Sequence, residues 1–173
     1  MSEPRNTVTL KGKPLTLVGN RPKVGGKAPD FTLAANDMST VTLRDFAGKI
    51  LILAAVPSLD TPVCDLETHK FNEKAGRLGD DVLVLTVSMD LPFAQKRWCG
   101  AAGVRNVKTL SDHRAASFGE AYGVLIKELR LLARSVFVVD KQGNIRYVEV
   151  VPEVSSEPDY DAVLNAVAAL KKP

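Results

Sequence analysis

The sharpest chemistry this chain offers belongs to one sulfur. Cys64 closes the stretch Val56-Pro57-Ser58-Leu59-Asp60-Thr61-Pro62-Val63-Cys64, in which an apolar strand (Ile50 to Val56) runs into a turn bracketed by prolines. Thr61 followed by Pro62 is a helix-start pattern. Thr61 is the N-cap candidate, and Pro62 takes the first helical position, where its missing N–H costs nothing. Cys64 then falls in the first helical turn. A thiol there faces backbone N–H groups that lack an intrahelical partner, and the positive end of the helix dipole. Both favour the thiolate, drawing the thiol below its ordinary value of about 8.5. The thiolate is the nucleophile, so this pattern is built to present a reactive sulfur.

Composition sets the frame for that sulfur. The chain has 173 residues, 45% of them hydrophobic and 25% charged, which fits one globular domain (1–173) with a full core. A net charge of +3, carried by scattered basic residues, gives no case for nucleic acid. No apolar run reaches the roughly 18 residues of a membrane span. Met1 to Asn6 has no basic-then-apolar leader pattern, so a cytoplasmic setting is expected. In that setting two cysteines argue against a permanent staple. His69 and His113 invite a zinc reading, but Cys64 and His69 point to different faces of one helix. No C-x-x-C or H-x-x-x-H pair exists, so no metal is expected. Without a G-x-G-x-x-G or Walker sequence, no nucleotide cofactor is expected either.

The elements that must position the sulfur follow from periodicity. Val8-Thr9-Leu10 and Leu15-Thr16-Leu17, around Lys11-Gly12-Lys13-Pro14, read as a hairpin (about residues 7–18). Asn20 to Pro29 is a Gly/Pro-rich crossing segment. Phe31-Thr32-Leu33 and Val41-Thr42-Leu43 form a second small pair. Ile50 to Val56 is continuously apolar, the mark of a strand covered on both faces. Pro62 to about Ala75 reads as a helix with Val63, Leu66, Phe71, Ala75 and Leu78 as its apolar stripe. Val82 to Ser88 is a second buried strand, and Pro92 to about Ala102 a second helix stopped near Gly103. Ser111 to Tyr122 reads as an inserted helical segment. Ser135 to Val139 and Ile145 to Val150 form a hairpin around Asp140 to Asn144. Pro158 to Leu170 is the last helix, with Val163, Leu164, Val167 and Leu170 at helical spacing. From Ile50 the order is β-α-β-α-β-β-α. Helices between strands imply parallel pairing and the tight hairpin an antiparallel edge. This is the order of the thioredoxin fold: α/β, three layers around a central mixed sheet, here with an N-terminal β-hairpin extension.

Pro57, Thr61 and Cys64 have the spacing P-x-x-x-T-x-x-C. Further strings accompany it: Asp90-Leu91-Pro92-Phe93-Ala94-Gln95, Trp98-Cys99-Gly100-Ala101, Ala133-Arg134-Ser135-Val136-Phe137-Val138-Val139-Asp140 and Glu157-Pro158-Asp159-Tyr160. On these residues the sequence resembles the peroxiredoxins, and within them the bacterial thiol peroxidase subfamily of the atypical two-cysteine type. The resemblance runs over essentially the whole chain. It implies that Cys64 is the peroxidatic cysteine, whose thiolate displaces alkoxide or hydroxide from a peroxide O–O bond and becomes a sulfenic acid. It implies that Cys99 is the resolving cysteine, condensing with that sulfenic acid within the same chain. Arg134 would stabilise the thiolate and orient the peroxide. Thr61 would donate to a peroxide oxygen, and Pro57 would wall off water. The resemblance further implies hydrogen peroxide and alkyl hydroperoxides as substrates, thioredoxin as electron donor, and a homodimer, with no cofactor.

The residues support this reading physically. A guanidinium at the start of the Ser135 strand falls in the middle third of such a fold, within reach of the sulfur. There it would favour thiolate and the charge building on the departing oxygen. Cys64 and Cys99 fall on two different helices, whereas a disulfide needs Cα atoms within about 7 Å. Both segments are therefore expected to unwind locally in each cycle. Two other functions share the fold. A thiol–disulfide oxidoreductase would carry C-x-x-C at the helix start, but Thr61 stands three before Cys64. Its family also carries a cis-proline where Arg134 stands. A redox sensor that reacts once uses the same thiol, and only turnover separates it from an enzyme.

Overall fold

The computed structural model describes residues 6–103 and 106–171; residues 1–5, most of the segment read for a leader, lie outside it. In chain order a hairpin of β1 (Thr7–Leu10) and β2 (Lys13–Val18) leads to β3 (Thr32–Ala34) and β4 (Thr40–Thr42). The alternation that follows is β5 (Ile50–Ala55), α1 (Pro62–Ala75), β6 (Val82–Ser88), α2 (Pro92–Ala102), β7 (Val107–Ser111) and α3 (Ser117–Ala121). Two short strands, β8 (Leu125–Ile126) and β9 (Leu131–Leu132), precede the hairpin of β10 (Ser135–Val139) and β11 (Ile145–Val150). Helix α4 (Tyr160–Lys171) comes last.

The main sheet has seven strands in the order β11-β10-β5-β6-β7-β3-β4. β5, β6 and β7 run parallel and β10 antiparallel to β5. β5 lies between β10 and β6, is buried along its whole length, and obeys the period of two. Ile50, Ile52 and Ala54 face one side with Phe71 of α1 and Val163 and Val167 of α4. Leu51, Leu53 and Ala55 face the other, with Phe118, Tyr122 and Phe137. Phe118 and Tyr122, one helical turn apart, stack at 4.3 Å, and both meet Phe137 edge-on. The result is the three-layer thioredoxin fold with its mixed sheet. Among the described residues no helix is long and apolar enough to cross a membrane.

Three features depart from the sequence reading. β7 is a central strand the element order lacks, and the helix expected over Ser111 to Tyr122 contracts to Ser117–Ala121. Val107-Lys108-Thr109-Leu110-Ser111 carries too little apolar character to announce itself, and parallel pairing to β6 makes it a strand. The Asp112 carboxylate then accepts the Phe118 and Gly119 N–H groups and so fixes where α3 begins. Second, the N-terminal hairpin is half of a four-stranded sheet, β1-β2-β8-β9. Third, Leu66 is exposed, and the buried positions of α1 are Cys64, Glu67, Thr68 and Phe71.

Candidate active site

The Cys64 loop leaves β5 and is tied down before it becomes helix. Asp90, just past β6, accepts hydrogen bonds from Ser58 Oγ at 2.7 Å, the Leu59 N–H at 2.8 Å and Ser88 Oγ at 2.7 Å. Pro57 is buried within this turn. Thr61 has extended backbone at the N-cap of α1, with Pro62 after it, as the sequence pattern requires. Its side chain does not cap. The hydroxyl donates back to the Ser58 carbonyl at 2.9 Å, and no side-chain cap bond forms. Thr61 therefore closes the turn rather than the helix.

Cys64 occupies the first turn of α1 and is fully buried, so the sulfur does not lie at the surface. It packs with Val56, Leu59 and the partly buried Trp98. A cleft of about 430 Å³ lies over this turn, lined by Leu59, Thr61, Asp65, His69 and Trp98 among others. The Trp98 indole N–H donates to Asp65 Oδ1 at 2.9 Å. One hydrogen bond thus joins the residue after Cys64 to the residue before Cys99.

Arg134 makes the burial of that sulfur chemically meaningful. It precedes β10 by one residue, rather than belonging to the strand, and only 2% of it is exposed. All three arms of the guanidinium are fixed. Nε donates to the Val154 carbonyl at 2.9 Å, Nη1 to Glu67 Oε2 at 2.8 Å, and Nη2 to Cys64 Sγ at 3.3 Å. Burial pulls the guanidinium down, but Glu67 and Cys64 outweigh it and hold Arg134 above its ordinary value. A planar fork held at three points cannot swing away from the sulfur.

Glu67 is the site residue the sequence reading missed. It lies three residues after Cys64 on the same helix face and is fully buried. A buried carboxylate needs a cation, and that requirement was the available signal. Burial pushes the Glu67 carboxyl from 4.5 up to about 7, against the pull of Arg134, and its Oε1 has no hydrogen-bond partner among the described residues. The folded protein therefore holds this proton more tightly than the unfolded chain. Through this group, stability is greatest below about pH 4.5 and declines as pH rises to about 7. Glu67→Gln, which cannot titrate, is expected to flatten that decline. Urea unfolding at several pH values checks it; an equally steep decline in the variant would clear Glu67 as its source.

Cys99 lies in the last turn of α2, which ends at Gly103 with φ 67°, the left-handed conformation that glycine adopts without strain. Both cysteines are free thiols. The Glu157 string acts from a distance: Glu157 accepts from Lys70 on α1 at 3.0 Å and from the Tyr160 hydroxyl at 2.9 Å, fastening the entry of α4 to α1.

A buried cysteine at a helix start, paired with a fixed arginine on a thioredoxin-fold sheet, defines a redox-active thiol protein, and the comparisons agree. The redoxin family model matches residues 23–164. A thiol peroxidase of Halalkalibacterium halodurans is 58% identical over 163 residues, 94% of this chain and 98% of that protein. One from Listeria innocua is 59% identical over 159 residues, 92% of this chain and 96% of that protein. The crystal structure of a peroxiredoxin-like protein from Aquifex aeolicus superposes with a TM-score of 0.88 at 45% identity, covering 95% of this chain and 97% of that one. The chain belongs to the redoxin family and, within it, to the bacterial thiol peroxidases.

Proposed function

We propose that this protein is a thioredoxin-recycled peroxidase that reduces hydrogen peroxide and alkyl hydroperoxides through Cys64 and Cys99. The observation that carries the reading is the Arg134 hydrogen bond to Cys64 Sγ in the first turn of α1. It gives the thiolate a fixed counter-charge, and a guanidinium beside the sulfur would favour the charge that builds on the departing oxygen. The Cys64 thiolate attacks the terminal oxygen of ROOH. The O–O bond breaks, a sulfenic acid forms, and RO⁻ leaves to become ROH. Cys99 then condenses with the sulfenic acid, forming the disulfide and releasing water. A dithiol donor, thioredoxin in this reading, reduces the disulfide, and a reducing cytoplasm suits thiols that must be restored each cycle.

Peroxide reaches the sulfur when the Leu59–Trp98 cover opens. The disulfide forms when the first turn of α1 and the last turn of α2 unwind. Two features bear on this second opening: Cys99 is one turn from the helix end, and the Gly103 N–H caps the Cys99 carbonyl at 3.0 Å.

Cys99→Ser is expected to consume one equivalent of peroxide and then stall at the sulfenic acid. Trapping that product with a dimedone reagent, alongside NADPH consumption coupled through thioredoxin and its reductase, tests the assignment. Sustained thioredoxin-dependent turnover by Cys99→Ser removes Cys99 from the cycle. A wild-type protein that reacts once and never turns over is a sensor instead.

A further inference from the structure

Cys99 lines a cleft of about 550 Å³ separate from the one over Cys64, with Asn36, Ser39, Asn106 and Thr109 among its walls. Its Sγ lies 3.3 Å from Thr109 Oγ1. That hydroxyl donates to Asn36 Oδ1 at 3.0 Å. A threonine hydroxyl carries a single hydrogen. With that hydrogen committed to Asn36, the proton in the sulfur–oxygen contact must be the thiol's own. The chain therefore runs from Cys99 S–H to the Thr109 hydroxyl to the Asn36 carbonyl. Its two anchors are firmer than the helix that carries the thiol. Thr109 is 1% exposed within β7, between β6 and β3, and Asn36 sits in the turn joining β3 to β4. α2, by contrast, ends three residues past Cys99.

We propose that Thr109, held by Asn36, is a positioning residue that stores the resolving thiol in its protonated form on β7 until α2 unwinds. The proposal rests on the reading of Cys99 as the resolving residue. It gives the chain a function in each half-cycle. While Cys64 reacts, Cys99 donates a hydrogen bond, remains a thiol and does not compete for peroxide, since the thiolate is the reactive form. When the sulfenic acid has formed, the S–H···O bond must break. The Cys99 proton leaves with the sulfenic hydroxyl as water, the Cys64 sulfur is reduced, the Cys99 sulfur is oxidised, and the S–S bond forms. The strength of the latch therefore sets part of the barrier to resolution. It also sets how long the sulfenic acid stays open to a second peroxide.

Thr109→Val removes the acceptor and keeps the shape of a strand residue. A net hydrogen bond of about 1 kcal/mol corresponds to roughly fivefold. In single-turnover mixing with hydrogen peroxide, followed by Trp98 fluorescence, the ratio of the disulfide-forming phase to the first phase is expected to rise about threefold to tenfold. The peroxide dose that over-oxidises Cys64 is expected to rise with it. Thr109→Ser restores the hydroxyl and is expected to restore the wild-type ratio, which a merely structural role would not require. In a Cys64→Ser background, iodoacetamide should alkylate Cys99 faster when Thr109 is valine. Asn36→Ala, at a half-buried turn position, tests the same chain if the β7 variant does not fold, because it frees the Thr109 hydroxyl to donate to the sulfur and should also speed alkylation. An unchanged or lower phase ratio in folded Thr109→Val, or a serine variant that behaves like valine, overturns the latch. The alkylation arm is independent of turnover, so a failure of Cys99 as resolving residue and a failure of the latch are read separately.

Discussion

Cys64→Ser is expected to abolish peroxide consumption, by at least a thousandfold in the thioredoxin-coupled assay. Serine is nearly the same size, so the packing against Val56, Leu59 and Trp98 survives, and the hydroxyl can still accept from Arg134. What is lost is the proposed nucleophile. A serine hydroxyl ionises far above neutral pH, and among the described residues the side chain hydrogen-bonded to the sulfur of Cys64 is Arg134, a donor and not a base. Glu67, on the same helix face, directs Oε2 at Arg134 rather than at position 64. Cys99 cannot take over, because its sulfur contacts Thr109 and, among the described residues, has no hydrogen-bonded guanidinium. The variant should keep the circular dichroism of the parent and retain one alkylatable thiol. Multiple turnover with a dithiol donor would show that the chemistry lies elsewhere.

Much of this site was legible in the sequence because its parts are local. The Pro57-to-Cys64 string states a strand end, a turn and a helix start within a few residues, and α1 begins at Pro62 as the pattern requires. The apolar run from Ile50 marks β5 for the same reason: burial on both faces leaves no polar position. What escaped depends on contacts distant along the chain. β7 is a strand because β6 and β3 flank it, not because Val107 to Ser111 favour one. Glu67 and Leu66 exchange their expected places, since Arg134 arrives from 67 residues away to neutralise a carboxylate on the buried face. Thr61 fills the cap position but sends its hydroxyl back to Ser58, a choice set by the turn that Asp90 braces. The burial of Cys64 was equally out of reach, because it takes Trp98 on another helix to cover the sulfur.

Arg134→Ala is expected to slow the reaction of Cys64 with peroxide at least tenfold, which is about 1.4 kcal/mol of transition-state stabilisation. Three partners lose their donor at once. Cys64 Sγ loses its counter-charge, Glu67 Oε2 is left buried without a cation, and the Val154 carbonyl loses its hydrogen bond. Glu67 answers by holding its proton more tightly, because burial already raises it and only Arg134 opposes strongly. Stability should therefore fall as well, by about 3–5 kcal/mol for breaking a buried pair from one side. The two effects separate by experiment. Single-turnover rates measured well below the unfolding midpoint report the chemistry, and urea melts report the fold. Arg134→Lys keeps one charge but has no planar fork, so it can serve the sulfur or Glu67 and not both. It should recover part of the stability and little of the rate. The double variant Arg134→Ala with Glu67→Gln removes the orphaned carboxyl and should recover stability without rate. Peroxide reactivity at the wild-type level in folded Arg134→Ala would show that the helix start alone activates Cys64 and that the guanidinium serves only to keep Glu67 buried.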